Sequence, residues 1–96
     1  MKPGSHTCPT SKVAELLSDT WTMLIVHELL GGPKRFCELE RDLSGISTRT
    51  LTNKLRELDT EGIVEKNIQG RYRITSKGRG LRPILNAMRA YGEKFL

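Results

Sequence analysis

With 96 residues the chain has room for one domain and not two, and its longest uninterrupted apolar run, Met23 to Val26, is far too short for a membrane span or a signal-peptide core. Sixteen Lys and Arg against eleven Asp and Glu give a formal charge of +5 and a pI near 9.6, which favours a polyanionic partner because basic side chains release counterions from phosphate backbones. Two cysteines, Cys8 and Cys37, cannot build a disulfide framework and read as reduced thiols; nothing marks the chain for export, so the expected location is the cytoplasm, away from any membrane.

A domain this small buries a modest core, and many chains of its size gain stability by dimerising. Residues 1–9 hold two prolines, a glycine and no apolar periodicity, and read as a flexible arm. The single domain is expected over 10–96. Thr10 or Ser11 caps a first helix with Val13, Leu16 and Leu17 on one face. Ser18 or Asp19 caps a second, in which Trp21, Leu24, Ile25, Glu28 and Leu29 recur at helical spacing, and Gly31, Gly32 and Pro33 end it.

A short third helix is expected from about Phe36 to Leu43, with Phe36, Leu39 and Leu43 inward, followed by a tight turn through Ser44, Gly45 and Ile46. Ser47 is a good cap for a fourth helix that runs to Glu61 and stops at Gly62. Its apolar stripe is Leu51, Leu55 and Leu58. The period then changes. Ile63 to Ile68 and Arg71 to Thr75 read as two strands turning at Gln69-Gly70, with Arg71 and Arg73 on one face and Tyr72 and Ile74 on the other. From Thr75 or Ser76 a last helix carries Leu81, Ile84, Leu85, Met88, Tyr91 and Phe95; Pro83 should bend it or break it near its first turns. This order is the winged helix-turn-helix plan, mainly α (α+β), with a two-stranded β-hairpin wing.

With its leucines inward, the fourth helix turns Arg49, Asn53 and Arg56 outward, flanked by Thr48, Thr50, Thr52 and Glu57, with Lys54 to one side. Arg can donate two hydrogen bonds to guanine and Asn can pair bidentately with adenine. The hydroxyls of Ser47, Thr48, Thr50 and Thr52, with the free amides at the helix start, suit phosphates. A plain solvated face fits the wheel as well. The hairpin tips the balance, because Lys66, Arg71 and Arg73 make a basic ribbon able to lie along phosphates or reach the minor groove; a charge-guarded edge hairpin is the bland version of the same feature.

Cys8, next to a proline in the arm, is open to oxidation or simply inert. Cys37 is expected as a small core residue, since free cysteines are usually buried. His6 and His27 are too isolated for a metal site, and no cofactor is expected. There is no Gly-rich phosphate loop, no nucleophile with a nearby base, and too little chain for a deep pocket, so an enzyme is not expected.

Cys8-Pro9, Trp21-Thr22, Gly32-Pro33 leading to Arg35-Phe36 and Glu38-Leu39, Gly45-Ile46-Ser47, Leu51-Thr52, Leu55-Arg56-Glu57-Leu58, Gly62 and Val64, with the later Thr75, Gly78 and Pro83, together resemble the HxlR-type winged helix-turn-helix regulators of bacteria and archaea, a MarR-like group. The similarity runs over nearly the whole chain. It implies a homodimeric transcriptional regulator that binds double-stranded operator DNA through the helix from Ser47 and the wing, with dimer contacts from the first and last helices. Some members sense oxidants or electrophiles through a cysteine at the place of Cys8. The wing departs from the pattern, because family members usually carry several more residues between the strands, and the place of Cys37 is usually Ser or another small polar residue.

The expectation is therefore a sequence-specific dimeric DNA-binding regulator. Arg49, Asn53 and Arg56 are the candidates for bases, Ser47, Thr48, Thr50 and Thr52 for phosphates, and Arg71 and Arg73 for the wing. Two copies on successive major grooves would ask for a near-palindromic operator. A winged-helix dimerisation or protein-interaction module without specific DNA readout is the alternative. The sequence names no small-molecule effector.

Overall fold

The computed structural model describes residues 8–96, so most of the expected arm, residues 1–7, lies outside the described residues. Helices α1 (Pro9–Leu16), α2 (Thr20–Leu30), α3 (Phe36–Asp42) and α4 (Thr48–Thr60) precede strands β1 (Val64–Lys66) and β2 (Tyr72–Ile74). Helices α5 (Ser76–Arg79) and α6 (Arg82–Phe95) follow. The mainly helical winged plan read from the sequence is the one observed.

Several boundaries move, each for a local reason. The first helix takes in Pro9, with Cys8 as N-cap, instead of starting at Thr10 or Ser11. Proline suits a first helical position, where its missing amide leaves no bond unmade. Asp19 caps α2, accepting from the Thr22 amide at 2.9 Å. The buried face of α2 is Thr22, Ile25, Val26 and Leu29, while Leu24 is 40% exposed and Trp21 packs at the edge of the core. The expected last helix is two helices. Pro83 sits in the first turn of α6, where it again lacks no bond, and the chain steps aside through Gly80 and Leu81 before it.

The strands are shorter than expected because the turn begins earlier. The Asn67 side-chain oxygen accepts from the amides of Gln69 and Arg71 at 2.9 and 3.0 Å, and Gly70 takes φ +81, a conformation open to glycine. Asn67 to Arg71 therefore form the loop, and Ile68 is fully exposed at its tip instead of ending a strand. The register pairs Val64 with Ile74, Glu65 with Arg73 and Lys66 with Tyr72. A further bridge joins the wing to the body: Lys34 and Tyr72 exchange backbone hydrogen bonds of 2.9 and 2.8 Å.

One core cluster joins these elements. Ile25, Val26 and Leu29 of α2 meet Leu39 of α3, Leu51, Leu55 and Leu58 of α4, and Ile63, Val64 and Ile74 of the wing, with Leu81 and Leu85 closing one side. Gly78 sets how closely α5 approaches the wing: a Cβ there would lie 2.4 Å from the Ile63 carbonyl oxygen and 2.7 Å from Ile74 Cγ1. One of these obstacles is backbone and cannot swing away. Gly78→Ala should therefore cost about 1–3 kcal/mol, the usual cost of overpacking. Denaturant unfolding at matched protein concentration measures it, and a loss below about 0.5 kcal/mol, the range of a plain surface substitution, would contradict the packing described.

Candidate nucleic-acid interface

Helix α4 buries Leu51, Leu55 and Leu58 to 2% exposure or less. The same period turns Arg49, Asn53 and Arg56 to solvent, as the wheel requires. Ser47 caps the helix, its hydroxyl accepting from the Thr50 amide at 3.0 Å and donating to Thr50 Oγ1 at 2.9 Å. Thr52 donates back to the Thr48 carbonyl at 2.8 Å. The hydroxyls proposed for phosphates are thus partly engaged in building the first turns. Thr48 Oγ1 also donates to Glu40 on α3, which ties the two helices of the helix-turn-helix together. Between them Gly45 takes φ +94 and the Ile46 amide bonds to the Leu43 carbonyl at 3.0 Å.

The outward side chains are not equivalent. Arg56 lines a cleft at the far half of α4 together with three carboxylates, Glu15, Glu57 and Glu61, although among the described residues it is ion-paired with none of them. On the wing, Arg73 is ion-paired with Glu65 directly across the strands, its Nε donating at 2.6 Å. Arg71 is exposed at the loop end. Its charge contributes to holding the Glu38 carboxyl below the ordinary range, after the larger effect of the Arg35 amide, which donates to Glu38 at 2.7 Å. Lys66 lies over the Tyr72 ring, 5.6 Å from its centre.

Two structural ties escaped the sequence reading. Lys54, placed at the side of the recognition face, reaches back to Asp19 at the start of α2 and lies 3.7 Å from Glu57. Lys34 joins Glu28 at 3.2 Å and Asp42 at 2.7 Å, fixing the link between α2 and α3. Either could have been found only by knowing which helices meet.

The cysteines divide differently from expectation. Cys37 is exposed on α3 and is not a core residue, because Phe36, Leu39 and Leu43 occupy the inner face and Cys37 lies off it. Cys8 is half-buried at the start of α1. Its thiol makes no strict cap bond, yet lies close enough to the amide and hydroxyl of Ser11 and the amide of Thr10 that these hold it below its ordinary value. Among the described residues no group of His, Cys, Asp or Glu could hold a metal ion, and no helix is long and apolar enough to cross a membrane.

A family model for HxlR-like helix-turn-helix proteins matches residues 16–96. The HTH-type transcriptional regulator sll1512 of Synechocystis is 37% identical, over 95% of this chain and 72% of its own. The crystal structure of quinone-bound YodB from Bacillus subtilis superposes with a TM-score of 0.84 at 36% identity, covering 92% of this chain and all of the other. The redox regulator HypR in its reduced form gives 0.82 at 31% identity, over 91% and 92%.

The Asp19–Lys54 pair yields a pH test. Burial pushes the Asp19 carboxyl up, but the Lys54 ammonium and the Thr22 amide outweigh it and hold the carboxyl below its ordinary value. A carboxylate depressed in the folded state stabilises above its unfolded pKa of about 3.9 and loses that contribution as pH falls through the folded value. Asn caps as well as Asp, so Asp19→Asn isolates the charge. It should cost up to about 1 kcal/mol at pH 7, as a partly exposed pair does, and nothing once pH falls below the folded value. An unchanged cost in acid would show that the charge is not what ties α4 to α2.

Proposed function

Because the chain belongs to the HxlR-like helix-turn-helix family, whose members are transcriptional regulators that bind DNA and act as dimers, we propose that its fourth helix is the major-groove reader and its hairpin a backbone or minor-groove contact. The observation that carries this is the division of α4: three leucines buried, Arg49, Asn53 and Arg56 held outward on a helix whose first turn has no acid. Arg49 and Asn53 lead for base contacts, and Arg56 follows because of the carboxylates near it. Ser47, Thr48, Thr50 and Thr52, with the amides at the helix start, face the phosphates. Arg71 supplies the wing contact, and Arg73 adds less because Glu65 already pairs with it.

In this reading residues 10–96 act as one domain, the protein works in the cytoplasm, and two copies set their recognition helices about 34 Å apart on a near-palindromic operator. The exposed Ile84, Met88, Tyr91 and Phe95 of α6, with Val13 of α1, form the surface for the second copy. Cys8 is the candidate redox sensor. Its lowered thiol and its place at a helix start support that role, and so does the likeness to a regulator crystallised with a quinone and to a redox regulator.

Footprinting on the DNA upstream of the gene identifies the operator, and titrations against it and against random DNA then test the roles. Arg49→Ala and Asn53→Ala should lose operator affinity selectively, by about 1–3 kcal/mol for each bidentate contact removed. Arg71→Ala should weaken both DNAs and lower the salt slope by about one unit, with a smaller change for Arg73→Ala. Equal losses on both DNAs for Arg49→Ala and Asn53→Ala would overturn the assignment of α4 as reader. Mild oxidant or quinone should lower operator affinity in the native chain and leave Cys8→Ser unaffected. If both respond alike, Cys8 is not the sensor and the exposed Cys37 is the responding thiol.

A further inference from the structure

At the root of the wing a cavity of about 220 Å³ opens where the end of α2, strand β2 and the α5–α6 junction meet. Gly31, Gly32 and Pro33 line it together with three arginines, Arg73, Arg79 and Arg82, and no carboxylate is among its lining residues. The lining comes from two separate stretches of chain, 29–33 and 73–82, brought together by the fold, and the arginines all lie in the second. Arg82 is fixed by donating from Nη2 to the Leu30 carbonyl at 3.0 Å, which caps the end of α2. Arg73 is paired with Glu65. Arg79 reaches only the Ser76 hydroxyl, at 3.5 Å, and among the described residues neither Arg79 nor Arg82 is ion-paired.

Capping α2 needs one arginine. The fold gathers three around one small space, where like charges repel, and among the described residues one of the three is ion-paired, Arg73 with Glu65. The positive end of α6 adds to this field, since that helix starts at Arg82 with no acid in its first turn. Forked guanidinium donors on several sides match a tetrahedral dianion better than a single carboxylate. The cavity is smaller than the usual drug-sized pocket, roughly 300 Å³ and above.

We propose that this cavity binds the phosphate group of a small molecule, held by Arg79 and Arg82, with the Glu65-paired Arg73 forming its wall on the wing side. The proposal stands apart from the DNA-reading role of α4 and does not depend on it. A ligand here joins the hairpin to the first turn of α6, so its binding biases the position of the wing.

The test titrates inorganic phosphate into the free, full chain at constant ionic strength, followed by amide NMR, with sodium chloride as control. Saturable shifts at Gly31, Gly32, Arg79 and Arg82 with one midpoint are expected. Arg79 carries no structural bond of note, so Arg79→Ala should keep the fold and raise that midpoint by about tenfold, as the loss of one charge-assisted hydrogen bond does. A midpoint that is the same in the Arg79→Ala chain overturns the proposal. So do scattered, unsaturating shifts no different from chloride. If phosphate fails in that way while Arg79→Ala lowers the salt slope of DNA binding by about one unit, the cluster meets a DNA phosphate and not a small ligand.

Discussion

Everything in this molecule depends on the burial of one leucine stripe. Leu51, Leu55 and Leu58 of α4 seat against Ile25 and Leu29 of α2 and against Ile63 and Val64 at the start of the wing. Full burial of each such side chain is worth about 1.5–3 kcal/mol, so the three together decide the rotation of α4 about its own axis. Once that rotation is fixed, no freedom remains in which residues face outward. The polar face is a consequence of the packing, and its chemistry is set by Arg49, Asn53 and Arg56 being where the leucines are not.

The same α2 that receives α4 on one side offers Met23, Leu24 and His27 on another, where they line a groove with Leu85 and Met88 of α6. Helix α2 is thus the common neighbour of the reading helix and of the apolar surface suited to a second copy. Its N-cap, Asp19, is held by Lys54 of α4, and the wing is held to the link that follows it by the Lys34–Tyr72 bridge. Helix α2 thus touches both α4 and the wing, and is an element through which the two are held relative to each other.

Much of this arrangement was legible in the sequence. The period of four and three in α4, the Ser47 cap and the Gly62 stop are local features, and local features survive folding unchanged. Cys37 was misread for a different reason. The rule that free cysteines lie inside outweighed the period of α3, although Phe36, Leu39 and Leu43 already defined an inner face that excludes it. The wing turned on a single residue. A two-residue turn at Gln69-Gly70 would set Arg73 opposite Lys66, whereas the loop from Asn67 to Arg71 sets it opposite Glu65. That slip of one position converts an expected free cation into a paired one. Lys54 with Asp19, and Arg82 with the Leu30 carbonyl, join distant parts of the chain, and only the assembled fold brings them together.

The packing of α4 should present its outer face to the floor of the major groove. Dimethyl sulfate distinguishes the grooves, since it methylates guanine N7 in the major groove and adenine N3 in the minor. Probing the complex on its operator should show guanine N7 protected in two patches about 10 base pairs apart, one for each recognition helix of the dimer. Guanine N7 left fully reactive throughout a footprinted site, with protection confined to adenine N3, would contradict the account.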